Sequence, residues 1–527
     1  MLEAGGPPRY PGIFRNQPPK DLLRWEEVRR SPVQKEYQGP DPFSSPSFKA
    51  LQGFVADRVL GPVPRGDDLE DFEKFERDLH AQVAAFEASL VAARLSRFDE
   101  KAPEVEVHGE IYRRTHEFPK EYSGLAGKFE ITRALYVPRD GGKAICPLEL
   151  RVGMVEGVWT PLAARVMAMA VAASTPREAA ALFEDLGGMK PSESSLDRLP
   201  KQLSEHWEEN RVLFEDVLRS QEVIPARAVA VGVSLDGVLV PMKEEETADD
   251  TADAAKPGPV PSPSAPEEPS TQADKKACGP KGYREVGCGT VTLYDAEGNR
   301  LQTTRYARAP EYKKGTLKSQ LVAELQSIFE SRPDLVLIGL SDGAEDHWEF
   351  INSLAPLLGL SAEEFKRALD IFHGLERVKK ALDAYHGEGT SDSKIAFEEC
   401  RIWLREEADG VERVLRALRH RRNNSRGAKR KAINTEIKYL AKRKSLMRYK
   451  ELLDAKLPIG SGIVEAACKT LATQRLKCSG MRWGEEGCQA ILTLRSLIQS
   501  DRWESGWELM ANQYKARVEA RPARLAA

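Results

Sequence analysis

Residues 228–242, AVAVGVSLDGVLVPM, decide the fold. They are a run of β-branched and small apolar residues interrupted by a single acid, Asp236, and a short run of that kind reads as a buried strand. After an interruption, residues 283–307, YREVGCGTVTLYDAEGNRLQTTRYA, alternate on either side of Asp295–Asn299, whose turn chemistry predicts a hairpin. Helical periodicity covers about 316–331. Residues 334–343, DLVLIGLSDG, then form a second short apolar run that presents Asp342 at its C-terminal edge. Strand, hairpin, helix and strand together predict an α/β core with a mixed sheet, flanked by helices and containing a parallel β/α unit.

Around this core the chain changes character several times. Residues 1–66 are rich in Pro, Gly and Ser and read as an extended or disordered arm. Phe72, Phe75, Leu79, Val83, Phe86, Leu90 and Leu95 recur at helical spacing. The alternating runs of 104–136 follow, so 67–158 is expected to be a small α+β domain. Residues 159–225 return to helical periodicity with a Gly187-Gly188 break and a Ser-capped second helix, an outline like a helix-turn-helix or an ordinary packed helix pair. The core's first part spans 226–391, but 243–282 is acidic and Pro-rich and cannot bury enough apolar surface to order itself. Residues 392–455 read as an all-helical insertion, 456–515 as the last part of the core, and 516–527 as a tail. The segment 458–476, PIGSGIVEAACKTLATQRL, predicts a helix capped by Ser461 and carrying Glu465.

The 527 residues carry a net charge of −3, with 41% hydrophobic and 30% charged residues, the balance of an intracellular globular protein of several domains. No apolar run is long enough to span a bilayer and the N-terminus lacks the apolar core of a secretory signal, so a cytoplasmic protein is expected. Seven cysteines, none in a C-x-x-C pair, exclude a disulfide framework and a zinc ribbon. Charge distribution says more than net charge. Between Val411 and Lys450 fifteen Lys or Arg stand against two Glu, which predicts a strongly anionic partner.

An acid at a strand end is most often a turn residue, and a first-turn Glu normally complements the helix dipole. Asp236, Asp342 and Glu465, however, all sit at ends or edges of elements that feed one sheet. Three converging carboxylates are a ligand set for hard divalent cations. The segments SLDGV (234–238), LSDGAEDHW (340–348) and PIGSGIVEAACKTLATQRLKCSGMRW (458–483) resemble the three acidic motifs of bacterial insertion-sequence transposases of the ISKra type. The resemblance covers roughly residues 130 to 510. It implies an RNase H-like catalytic core, with Asp236, Asp342 and Glu465 as a DDE triad and an all-helical domain between the second Asp and the Glu. In related mutator-like transposases a C-or-D-x-x-H motif begins that interval, and Asp370-Ile371-Phe372-His373 stands there. His373 then contacts scissile DNA or steadies a metal-bound carboxylate, unless it is simply a satisfied histidine at a strand–helix junction.

The resemblance further implies two Mg²⁺ or Mn²⁺ ions on the triad, cleavage at terminal inverted repeats, strand transfer into target DNA, and a homo-dimer or higher oligomer on DNA near the nucleoid. Expected DNA contacts are Lys469, Arg475, Lys477, Arg482 and Trp483 after the Glu, and Arg419, Arg421, Arg422, Lys429, Arg430 and Lys431 on the basic helices. Trp483 reads equally as a core aromatic. Two other functions fit the same residues: an inactive or regulatory DNA-binding protein derived from a transposase, and a nuclease that hydrolyses without joining. The acidic insertion departs from the family pattern and competes with DNA for basic surface.

Overall fold

The structure, a computed structural model, describes residues 41–62, 71–243 and 282–521. Nearly all of the expected acidic insertion, residues 1–40 of the arm and residues 522–527 of the tail lie outside them. The chain divides into two compact units, Met1–Asp99 and Glu100–Ala527. The helix and the strands expected together in 67–158 therefore fall in different units.

In the first unit, α1 (Pro46–Phe54) and α2 (Phe72–Ser96) are both helical. Residues 46–54 correct the expectation of an extended arm. A nine-residue helix has little intrinsic stability, and here Ser45 caps it while Phe48 packs on Phe86 and Phe54 on Phe75, with ring centroids 4.9 and 5.7 Å apart.

The second unit holds two sheets. In the first, β1 (Glu104–Val107), β2 (Glu110–Gly124) and β3 (Gly127–Pro138) are joined at the edge by β9 (Glu519–Arg521), in the order β3-β2-β1-β9. Residues 519–521, expected in a tail, are thus a strand. Three residues carry no periodicity, and only pairing with β1 some four hundred positions earlier orders them. Helices α3 (Pro161–Ala173), α4 (Pro176–Leu186) and α5 (Glu193–Gln221) follow, with Ser192 capping α5 as expected. Met167, Leu199, Trp207 and Leu218 of this region share a core with Leu494, Trp503 and Met510 near the C-terminus.

The second sheet contains β4 (Ala230–Pro241), β5 (Tyr283–Tyr294), β6 (Arg300–Arg308), β7 (Val336–Ser341) and β8 (Phe365–Leu369), in the order β6-β5-β4-β7-β8. β4, β5 and β6 are antiparallel neighbours, while β7 is parallel to β4 and β8 parallel to β7. The mixed α/β architecture expected from residues 228–343 is therefore present, with α6 (Gly315–Ser331) entering β7. Strand alternation sorts side chains onto two faces. Val231, Val233, Leu235 and Leu337 pack beneath α6 and α7 (Glu345–Leu358). Ala230, Ile338, Leu340 and Ala368 point to the other face. Beyond β8 come α8 (Ile371–His386), α9 (Ser391–Glu406), α10 (Gly410–Asn423) and α11 (Gly427–Lys442), packed around their own core of Val378, Leu382, Leu404, Leu418 and Leu440. The chain returns through α12 (Gly462–Ala467), α13 (Glu485–Gln499) and α14 (Trp503–Asn512).

The β4–β5 ladder runs to Pro241↔Tyr283, and the Met242 N–H donates to the Gly282 carbonyl at 2.8 Å. The two chain ends flanking the acidic segment are already neighbours. Deleting residues 245–276 is accordingly expected to leave cooperative melting intact, since a short loop closes the hairpin at small entropic difference. A lost or broadened transition would show that the segment contributes to the folded core.

Candidate active site

Register places the first acids side by side. Ser234 pairs with Leu340 across β4 and β7, and Ser341 with Leu369 across β7 and β8. Continuing both ladders brings Asp236, in the middle of β4, into one row with Asp342 and Asp370, which directly follow the ends of β7 and β8, on the face opposite α6. The Asp370 N–H donates to the Ser341 carbonyl at 2.8 Å, which holds that row.

Glu465 arrives from above. Val464, Ala467, Cys468 and Leu471 form a helical stripe that packs on Val240, Val286 and Cys288 of the sheet, leaving Glu465 at its edge. Cys468, in a π-helical turn that continues α12, donates its thiol to Asp236 at 3.8 Å. Ser461 is the N-cap residue of this helix, as expected, but its side chain makes no cap bond; both its N–H and its hydroxyl donate to Asp370 Oδ2, the hydroxyl at 2.9 Å. A buried carboxylate needs donors, and a charge-assisted bond from the hydroxyl meets that need.

Asp370 is the member of the candidate site that sequence reasoning undervalued. It is fully buried, caps α8, and accepts through Oδ1 from the His373 N–H at 2.9 Å and Nδ1 at 3.2 Å. The D-x-x-H spacing was the visible signal, but it pointed to the histidine. Ligand atoms of Asp370, His373 and Glu465 all lie within 4.8 Å of one another, a group able to hold a metal ion.

The electrostatics match this crowding. Burial and the charge of Asp342 push the Asp236 carboxyl up, although the Gly237 N–H at 2.7 Å opposes them. Glu465 is raised by desolvation and by the charges of Asp370, Asp236 and Asp342, with His373 working against them. Asp342 is driven well below the carboxylate range despite its burial, because His347 and the Ala344 N–H stabilise the anion. Asp370 is lowered in the same way, against its burial, by His373 and Ser461. The Asp370 hydrogen bond raises His373, and Asp342 and Glu465 add to it.

The basic helices reach this site. Tyr439 of α11 donates to the Asp342 carbonyl at 2.9 Å and Arg443 to the Gly343 carbonyl at 2.7 Å, with the Arg443 guanidinium 4.0 Å from the Tyr439 ring. Arg419, Lys429, Arg430 and Lys431 are exposed, as are Lys469, Lys477 and Arg482. Arg421 and Arg422 are half-buried, the first bonded to His386 and the second to Asn434. Arg475 is corrected outright: it is 3% exposed, donates to the Val171 carbonyl at 3.1 Å and lies 5.0 Å from the Trp483 ring, so it is not available to DNA. Trp483 is half-buried against the Val240–Leu492 core, with its indole N–H on the Leu476 carbonyl at 3.0 Å. Among the described residues no helix is long and apolar enough to cross a membrane.

No protein-family model matches the chain and no curated protein matches it. Among solved structures, the chain is similar to a Drosophila P element transposase strand transfer complex, at 12% identity and a TM-score of 0.24, over 64% of this chain and 80% of that one.

Proposed function

We propose that the chain is a DDE-type transposase that cuts DNA at the ends of an insertion sequence and joins the freed ends to target DNA. The observation that carries this reading is the row of Asp236, Asp342 and Asp370 across three adjacent strands, closed from above by Glu465 and His373. The order of strand, hairpin, helix and strand, with acids along that row and a basic helical insertion before the Glu, supports an RNase H-like core.

Asp236, Asp342 and Glu465 would hold two divalent ions, Mg²⁺ or Mn²⁺. The donor set fits: oxygen ligands suit hard cations, and burial raises Asp236 and Glu465, with the charges of neighbouring carboxylates adding to it. Such ions, when bound, supply Lewis acidity at phosphoryl oxygens and lower the pKa of an attacking hydroxyl. The residues do the rest. Asp370 accepts a hydrogen bond from Nδ1 of His373 and so leaves Nε2 for the scissile strand. Tyr439 and Arg443 tie the Asp342 loop to the basic helices, so that DNA gripped there is held in a fixed relation to the acids. Water attack breaks the phosphorus–oxygen bond to the 3′ oxygen. The freed 3′ hydroxyl then attacks a target phosphodiester, one bond forming as another breaks.

The test is product analysis with a terminal-repeat duplex and a target plasmid, in Mg²⁺ and in EDTA. Joined products in Mg²⁺ are expected. Cut ends without joined products would leave a nuclease, and metal-independent binding alone a DNA-binding protein. Replacing Arg419, Arg421 and Arg422 together by Ala is expected to weaken binding to every sequence. Its salt dependence should flatten by roughly 0.9 in log–log slope for each phosphate that is no longer neutralised. An unchanged slope in a gel-shift salt series would remove α10 from the DNA-binding surface.

A further inference from the structure

We infer that Lys314 and His347 form a buried relay that orients Asp342, which makes both of them positioning residues of the site. The inference rests on the reading of Asp342 as a metal ligand.

Lys314 is 7% exposed and His347 is 3% exposed. The Lys314 ammonium lies 3.2 Å from His347 Nε2 and 3.2 Å from Glu285 Oε2. An ammonium has protons to give and no lone pair, so Nε2 must accept from it. The other ring nitrogen, Nδ1, faces Asp342 Oδ1 at 3.4 Å and the Ser341 hydroxyl at 3.5 Å. Asp346 lies 3.9 Å from Nε2, outside hydrogen-bond reach, and offers no competing arrangement. With Nε2 accepting from the lysine, Nδ1 is the ring nitrogen left to donate to the Asp342 carboxylate and the Ser341 hydroxyl beside it. Oδ1 also accepts from the Ala344 N–H at 3.1 Å and the Ser341 hydroxyl at 3.2 Å. Among the described residues no hydrogen bond is made to Oδ2, which leaves that oxygen for a cation.

The backbone is bent to deliver this lysine. Lys313 and Lys314 both take left-handed conformations, with φ of 51° and 54°, which side-chain-bearing residues adopt only where surrounding structure demands it. Two glycines make room. A β-carbon on Gly287 would meet Lys314 Cδ at 3.3 Å, and one on Gly237, beside Asp236, would strike Glu285 Oε1 at 1.8 Å. The Glu285–Lys314 pair therefore lies against the backbone next to one acid while the relay ends on the other.

The experiment is Mn²⁺ titration of the full chain, followed by electron paramagnetic resonance without DNA, with urea melting in EDTA as the folding control. Lys314→Met is expected to weaken Mn²⁺ binding about 10- to 100-fold, as loss of a ligand-orienting partner does. Lys314→Arg, also a donor only, should stay within a few-fold of the parent. Wild-type affinity in Lys314→Met, or equal losses in both variants, overturns the relay. If Lys314→Met does not fold, the same contrast is read from His347→Leu, which should lose affinity, and His347→Gln, which accepts and donates at once and should keep it. Asp342→Asn separates the two levels. If it abolishes Mn²⁺ binding while Lys314→Met does not change it, only the relay fails; if Asp342→Asn itself binds normally, the ligand assignment fails.

Discussion

Glu465→Gln is expected to slow Mg²⁺-dependent strand cleavage by on the order of 10² to 10³-fold while leaving DNA binding as it is. The substitution keeps the shape and removes one negative charge from a cluster that includes Asp236, Asp342 and Asp370. Its effect on folding has a definite sign. A carboxyl whose folded pKa is raised contributes stability below its unfolded pKa, and that contribution is lost as pH rises through the folded value. At neutral pH the ionised Glu465 is therefore a burden on the metal-free fold, and the Gln variant should melt no lower than the parent in EDTA. Added Mg²⁺ should raise the parent's midpoint and not the variant's, since a ligand stabilises only the state that binds it. Gel shift, cleavage and melting read these three consequences separately. Cleavage at the parent's rate would sink the assignment, and Glu485 or Glu486 would be the next acids to replace.

Asp370→Ala should fail in a different way. Its carboxylate is buried and accepts four hydrogen bonds, from the His373 N–H and Nδ1 and from the Ser461 N–H and hydroxyl. Removing it strands those donors, and a loss of about 3 kcal/mol is expected, read as a lower urea midpoint at constant slope. Cleavage should fall as well, because Ser461 leads directly into the helix of Glu465 and His373 loses its orienting partner. The pH dependence follows from the two shifts. Asp370 is lowered, so its contribution is present above the ordinary Asp pKa and disappears as pH falls through the folded value. His373 is raised, so its contribution is complete below the ordinary His pKa and disappears as pH rises through the folded value. The gap in stability between parent and Asp370→Ala should thus be widest near ~pH 5 and narrow on both sides. A gap independent of pH would mean that the pair is not ionised in the folded protein.

Much of the five-stranded sheet was legible because its signals are local. The short apolar runs in 228–242 and 334–343, the Asp295–Asn299 turn and the helical spacing of 316–331 each depend on residues within a few positions of one another. So does the stripe Val464, Ala467, Cys468 and Leu471, which leaves Glu465 at a helix edge. Charge density alone marked the basic helices. Local patterning is therefore enough for the strands, the hairpin, the placing of Asp236 inside one strand and Asp342 at the end of another, and the positive insertion. How distant side chains are used depends on tertiary packing. Asp370 meets Ser461, Lys314 meets His347 and Glu285, Arg475 turns inward to Val171, and residues 519–521 pair with β1. None of these pairings leaves a period or a spacing in the chain. Each arises because the packed sheet and helices bring together groups whose hydrogen-bonding demands must be met once water is excluded.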